Sequence, residues 1–116
     1  MRHRNKNKKL DRTKAPRKLM LKNLASSVII YEKVKTTEAK AKAVRPLVEK
    51  IITSALKGGL PARRELIRLL PQPLAVKKAL EVLAVKYQDR RGGYSRIIKL
   101  GSRQGDGAKV VQIELV

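Results

Sequence analysis

The chain has 116 residues, with 29 Lys and Arg against nine Asp and Glu, a single His, no Cys and a formal net charge of +20. The absence of cysteine excludes disulfides, thiolate catalysis and Cys-bearing zinc sites, and no run approaches the roughly 18 consecutive apolar residues of a membrane span. At 42% hydrophobic one small core can still form.

Ten of the first 22 residues are Lys or Arg, opposed only by Asp11. From Met1 to about Lys14 the chain holds too few apolar side chains to offset its ordering entropy, so this arm is expected to be disordered without a polyanion. Residues 1–15 therefore read as a basic arm and 16–116 as one compact domain. No apolar stretch follows the N-terminal charges as in a secretory signal, which makes the cytoplasm the default location.

Leu21, Leu24, Ala25 and Val28 fall at i, i+3, i+4 and i+7, predicting a helix over Pro16 to Val28. Its opposite face carries Arg17, Lys18, Lys22 and Asn23. A β-rich composition then predicts a strand over Ile30 to Lys35. Thr36 or Thr37 should cap a second helix with Ala41, Val44, Val48, Ile51, Ile52 and Ala55 as its buried face. Pro46 should bend that helix or split it near Val44 and Arg45, and Gly58-Gly59 should end it. Shorter helices are expected over Leu60 to Leu70, with Arg63, Arg64 and Arg68, and over Pro73 to Lys86. The remainder reads as a hairpin: an Arg90-Arg91-Gly92-Gly93 turn, a strand over Tyr94 to Leu100, a glycine-rich loop from Gly101 to Gly107, and a last strand in which Val111, Ile113 and Leu115 alternate with Gln112 and Glu114. The order α-β-α-α-α-β-β gives an α+β fold, a small three-stranded mixed sheet with helices packed on one face.

So strong a positive charge is the footprint of a nucleic-acid binder. Only three aromatic residues are present, Tyr31, Tyr87 and Tyr94, too few for the stacking platforms of single-strand binders. Phosphates and the shape of a folded duplex are the favoured targets. The nine acids are dispersed and the only His is His3 in the arm, so no catalytic or metal-ligating cluster is evident; no cofactor, metal or small-molecule substrate is expected. The Gly101 to Gly107 loop lacks a nucleotide-binding pattern. It reads either as a flexible hairpin tip or as a phosphate contact through Arg103 and exposed backbone N–H groups. In Arg90-Arg91-Gly92-Gly93-Tyr94-Ser95-Arg96 the glycines permit close approach to a phosphate, the arginines can fork onto its oxygens, and Tyr94 could reach a sugar or base; the alternative is a solvated turn with Tyr94 packed inward.

Two basic surfaces emerge. One is the arm with the first helix: Arg2, His3, Arg4, Lys6, Lys8, Lys9, Arg12, Arg17, Lys18, Lys22 and Asn23. The other is the hairpin: Arg90, Arg91, Gly92, Gly93, Tyr94, Arg96, Lys99 and Arg103. A histone-like DNA-binding protein fits the charge equally well, but a groove-reading helix or an apolar wedge is not evident. A metal-dependent ribonuclease is disfavoured by the scattered carboxylates, and a membrane-active cationic peptide by an arm without an apolar face.

Met1-Arg2-His3-Arg4, Leu10-x-Arg12 and Arg17-Lys18-x-Met20-x-x-Asn23-Leu24-Ala25 resemble the opening of the bacterial large-subunit ribosomal protein seventeen family. Lys35-Thr36-Thr37 with Ala41-Lys42 resembles its second block, which adds Lys35 and Thr36 to the expected contacts. Tyr87-x-Asp89-Arg90-x-Gly92-Gly93-Tyr94-x-Arg96-Ile97-x-Lys99-Leu100-Gly101, Arg103-x-Gly105-Asp106 and Ile113-Glu114-Leu115-Val116 resemble its C-terminal signature. Pro16 stands where the family commonly shows His. The resemblance implies a non-catalytic component of the large subunit that binds 23S rRNA as one compact domain with a basic extension. It also implies a place on the solvent side toward the peptide-exit region, beside other ribosomal proteins.

Overall fold

The computed structural model describes residues 14–116. The arm residues Arg2, His3, Arg4, Lys6, Lys8, Lys9 and Arg12, and the expectation that the arm orders only on binding, lie outside the described residues. Helix α1 spans Lys14–Tyr31, with Pro16 in its first turn, where a missing N–H costs nothing. It begins two residues before the expected domain boundary. It also runs three residues past the expected end, because Val28 and Ile29 are fully buried in the core. Their burial contributes about 1.5–3 kcal/mol each, whereas β-branched residues lose only a few tenths of a kcal/mol in a helix. Packing overrides local preference, and Ile30 is helical rather than the start of a strand. Glu32 stops the helix at φ 64°, its N–H donating to the Val28 carbonyl at 2.8 Å.

Strand β1 spans Lys33–Thr37. The Thr37 hydroxyl then accepts from the Lys40 N–H at 3.4 Å and caps α2, Glu38–Lys57. Pro46 does not split α2. Pro46 faces solvent with Arg45, so the missing hydrogen bond opens toward water, while Ala41, Val44, Val48, Ile51, Ile52 and Ala55 bury the other side on both halves. Gly58 (φ 69°) separates α2 from α3, Gly59–Leu69. Helix α4 covers 73–86 and is not uniform: Pro73–Lys78 is α-helical, Ala79–Leu83 forms a π-helical turn, and Ala84–Lys86 returns to α. Ala79, Leu83 and Tyr87 are buried at steps of four, and the wider turn keeps residues so spaced on one face.

Strands β2, Ser95–Ser102, and β3, Lys109–Leu115, complete a sheet of order β1-β3-β2. The α+β architecture and element order are as expected, but the sheet is antiparallel throughout instead of mixed. Strands β1 and β2 run the same way but never pair, because β3 lies between them and opposes both. Val34 and Ile97 flank Ile113 in one cross-strand row facing the helices. Helix α2 crosses all three strands on that face, and α1 and α3 pack against α2. The far face carries Lys33, Lys35, Arg96, Ile98, Gln112 and Glu114. A bulge between Lys99 and Gly101 lets β2 continue to Ser102, so Gly101 belongs to the strand and not to the loop.

Candidate nucleic-acid interface

The Arg90–Gly93 turn is fastened from two directions. Gly92 and Gly93 take φ values of 95° and 63°, which side-chain-bearing residues rarely adopt, and so reverse the chain between α4 and β2. Tyr94 follows, buried to 3% exposure, its ring edge-on to Tyr87 at 5.2 Å and its hydroxyl donating to the Arg90 carbonyl at 3.1 Å. Tyr94 therefore does not offer its ring to a base or sugar; the inward-packed alternative is the observed one. From the other side, the Glu49 carboxylate on α2 accepts the backbone N–H groups of Tyr94 and Ser95, each at 3.2 Å, and the Ser95 hydroxyl at 2.9 Å. The Arg45 guanidinium adds a bond to the Ser95 carbonyl at 3.4 Å.

The result is a rigid platform that presents Arg90 and Arg91 to solvent. Neither forms an ion pair among the described residues. They rim a shallow groove with Lys57 at the end of α2, Thr53 and Gln88.

The other hairpin cations are placed differently. Arg96 bonds Glu114 across the strands at 2.7 Å, and that bond is the main reason the Glu114 carboxyl is held below the usual range. Lys99 is exposed beside a groove that also holds Lys42, Arg45, Glu38 and Glu49. Arg103 is forked onto Asp106 through its Nε at 3.1 Å and through Nη2. Asp106 also accepts the Ala108 N–H at 3.1 Å, and these bonds, Arg103 first, hold its carboxyl at about 2 against an ordinary 3.8. Backbone bonds from Arg103 N–H to the Ala108 carbonyl (2.7 Å) and from Gly107 N–H to the Arg103 carbonyl (3.0 Å) close the loop on itself. Because β2 has eight residues, Arg91 and Arg103 stand at opposite ends of a strand roughly 25 Å long, and the expected hairpin surface divides into two.

On α1, Lys18 and Asn23 are exposed, Arg17 is half-buried, and Lys22 donates to the Arg68 carbonyl of α3 at 3.3 Å. Lys35 lies on the open sheet face opposite Gln112, whereas Thr36 pairs with Val111 and turns toward the helices. Sequence reasoning missed Glu49, Lys57 and Arg68 as participants. Glu49 lies 45 residues before the nearer N–H it holds, and no local pattern announces that contact. Among the described residues there is no group of His, Cys, Asp or Glu able to hold a metal ion, and no helix is long and apolar enough to cross a membrane.

A family model described as Ribosomal protein L17 matches residues 20–116. The chain is similar over its full length to proteins named large ribosomal subunit protein bL17. It is 47% identical to that of Bradyrhizobium diazoefficiens, covering 84% of the relative, 50% to that of Solibacter usitatus, covering 77%, and 45% to that of Rickettsia bellii, covering 82%. A basic α+β domain with this C-terminal signature, matched by the family model over most of its length and by relatives over all of it, belongs to the ribosomal protein L17 family.

Proposed function

We propose that this protein is a structural constituent of the large ribosomal subunit that binds and stabilises folded 23S rRNA. It works in the cytoplasm as part of the ribosome, supports translation and carries out no catalysis. The observation that carries the reading is the Arg90–Gly93 platform: two cations without carboxylate partners among the described residues, fixed by a carboxylate that is itself spent on backbone N–H groups. A pre-ordered pair of guanidinium groups binds phosphate without first losing backbone freedom.

The basic arm and the α1 face form the second surface, with Arg17, Lys18, Lys22 and Asn23, and Lys35 and Lys99 add cations on and beside the sheet. Arg96 and Arg103 share their charge with Glu114 and Asp106 and contribute less. Bridging phosphates that rRNA folding crowds together lowers the repulsion between packed RNA helices, and counterion release supplies the affinity. The partners are 23S rRNA and neighbouring large-subunit proteins on the tunnel-exit side.

Sucrose-gradient sedimentation of lysate from the native source tests this: the protein should travel with 50S particles and resist washing at moderate salt. Recovery in nucleoid fractions would contradict the reading in favour of a DNA-binding protein.

A further inference from the structure

We infer that the groove where α1, α2 and α3 converge is a further RNA-backbone site, gripped by Lys18 and Lys22 on one rim and by Arg68, with Arg64 one turn earlier, on the other. The inference rests on the ribosomal reading above and extends it to α3, a helix outside both basic surfaces read from the sequence.

Leu21, Leu47 and Leu69 form an apolar floor, and Lys18, Lys22 and Arg68 line the edges. Lys22 ties the rims together through its bond to the Arg68 carbonyl, satisfying one of the orphan acceptors in the last turn of α3. An ammonium has three donors, so this bond does not exhaust it. The carboxylate paired with Arg68, Glu65, is divided between Lys50 and Arg68 at 3.8 Å each, and exposed pairs at that range are weak. Cations repeat at i and i+4 on both helices, about 6 Å along the axis, so α1 carries a short ladder of charge along the groove and α3 carries a second, of which Arg68 lines the groove and the exposed Arg64 lies one turn away.

A continuous polyanion fits these ladders better than an acidic protein does, because the charge runs on. Helix α1 opens at Lys14, directly after the basic residues 1–13. A phosphate backbone neutralised by those residues meets Lys18 one helical turn later. The floor is apolar but narrow, and the chemistry it matches is ribose and phosphate held from both sides.

The test uses full-length protein and transcribed 23S rRNA, titrated across a series of KCl concentrations. Arg64→Ala/Arg68→Ala on one rim and Lys18→Ala on the other are compared with wild type, and Lys22 is left intact because it also holds α3. Thermal melts by circular dichroism check that each variant is folded. With roughly 0.7 to 0.9 log units per phosphate, each lost contact weakens binding about five- to eightfold at 0.1 M salt and lowers the salt slope by about 1. The double variant should show that factor squared, about 25- to 60-fold, with the slope lowered by about 2, and Lys18→Ala should show it once. Unchanged slopes in the groove variants, with slope lost in an Arg90→Ala/Arg91→Ala control, would overturn this inference and leave the ribosomal reading standing. Normal RNA binding combined with poor incorporation into subunits would also overturn it, assigning the groove to a protein neighbour. No 23S binding by wild type would remove the ribosomal reading itself.

Discussion

Strand β2 is flanked by two turns that look alike in sequence and differ in physics. Arg90-Arg91-Gly92-Gly93 precedes it and Arg103-Gln104-Gly105-Asp106-Gly107 follows it, each mixing arginine with glycine. The first is bonded to the core by a carboxylate from another element, Glu49, so its own arginines remain without ion pairs among the described residues. The second carries its carboxylate internally, and Asp106 consumes the charge of Arg103. Where the acid sits decides what the neighbouring cations can do. An acid supplied from a distance orders the turn and leaves its guanidinium groups for a ligand, whereas an acid inside the turn orders it by neutralising them.

The largest effect that would sharpen this contrast is at Tyr94. Truncation by Tyr94→Ala should cost about 3–5 kcal/mol, as for other large-to-small core changes, read as a lowered urea midpoint, since the ring packs on Tyr87 beneath the first turn. An exposed, RNA-stacking tyrosine would leave the midpoint unchanged. Next comes Glu49→Ala, which strands two backbone N–H groups in a half-buried site. The expected loss is about 2 kcal/mol, within the range for unsatisfied donors, together with weaker RNA binding although no cation has been removed. If affinity were untouched, the platform would not depend on its anchor.

The smallest effect belongs to the second turn. Asp106 should titrate near 2 by carbon-detected NMR. Because its folded value lies below the ordinary 3.8, the latch is complete above that value and is lost as pH falls through about 2. Arg103→Ala should raise the midpoint back toward 3.8. A midpoint already ordinary in wild type would remove the latch from the account.

Much of the fold was legible because it is written locally. The α2 stripe from Ala41 to Ala55 and the Val111, Ile113, Leu115 alternation are periodic, and every one of those residues is buried. Thr37 and the glycines at 58 and 59 punctuate α2 as side-chain chemistry requires. What escaped is set by distant contacts. The helical fate of Ile29 to Tyr31, beyond the expected end at Val28, depends on a core that local preference does not see. The π turn in α4 and the central place of β3 between two like-directed strands have no short-range signal either.

The candidate site follows the same division. The motif at 90–96 was visible, but whether Tyr94 faced RNA or the core depended on Tyr87 and on Arg90's carbonyl. The link from Lys22 to Arg68 spans 46 residues, and without it α3 has no evident connection to the basic face of α1.

The most direct measurement sets the salt dependence of 23S rRNA binding by Arg90→Ala/Arg91→Ala beside that of Arg103→Ala. The first variant should lower the slope by about 2 and the second by far less than 1. Equal losses per arginine at the two turns would contradict this, because the internal carboxylate would then have withheld nothing from the RNA.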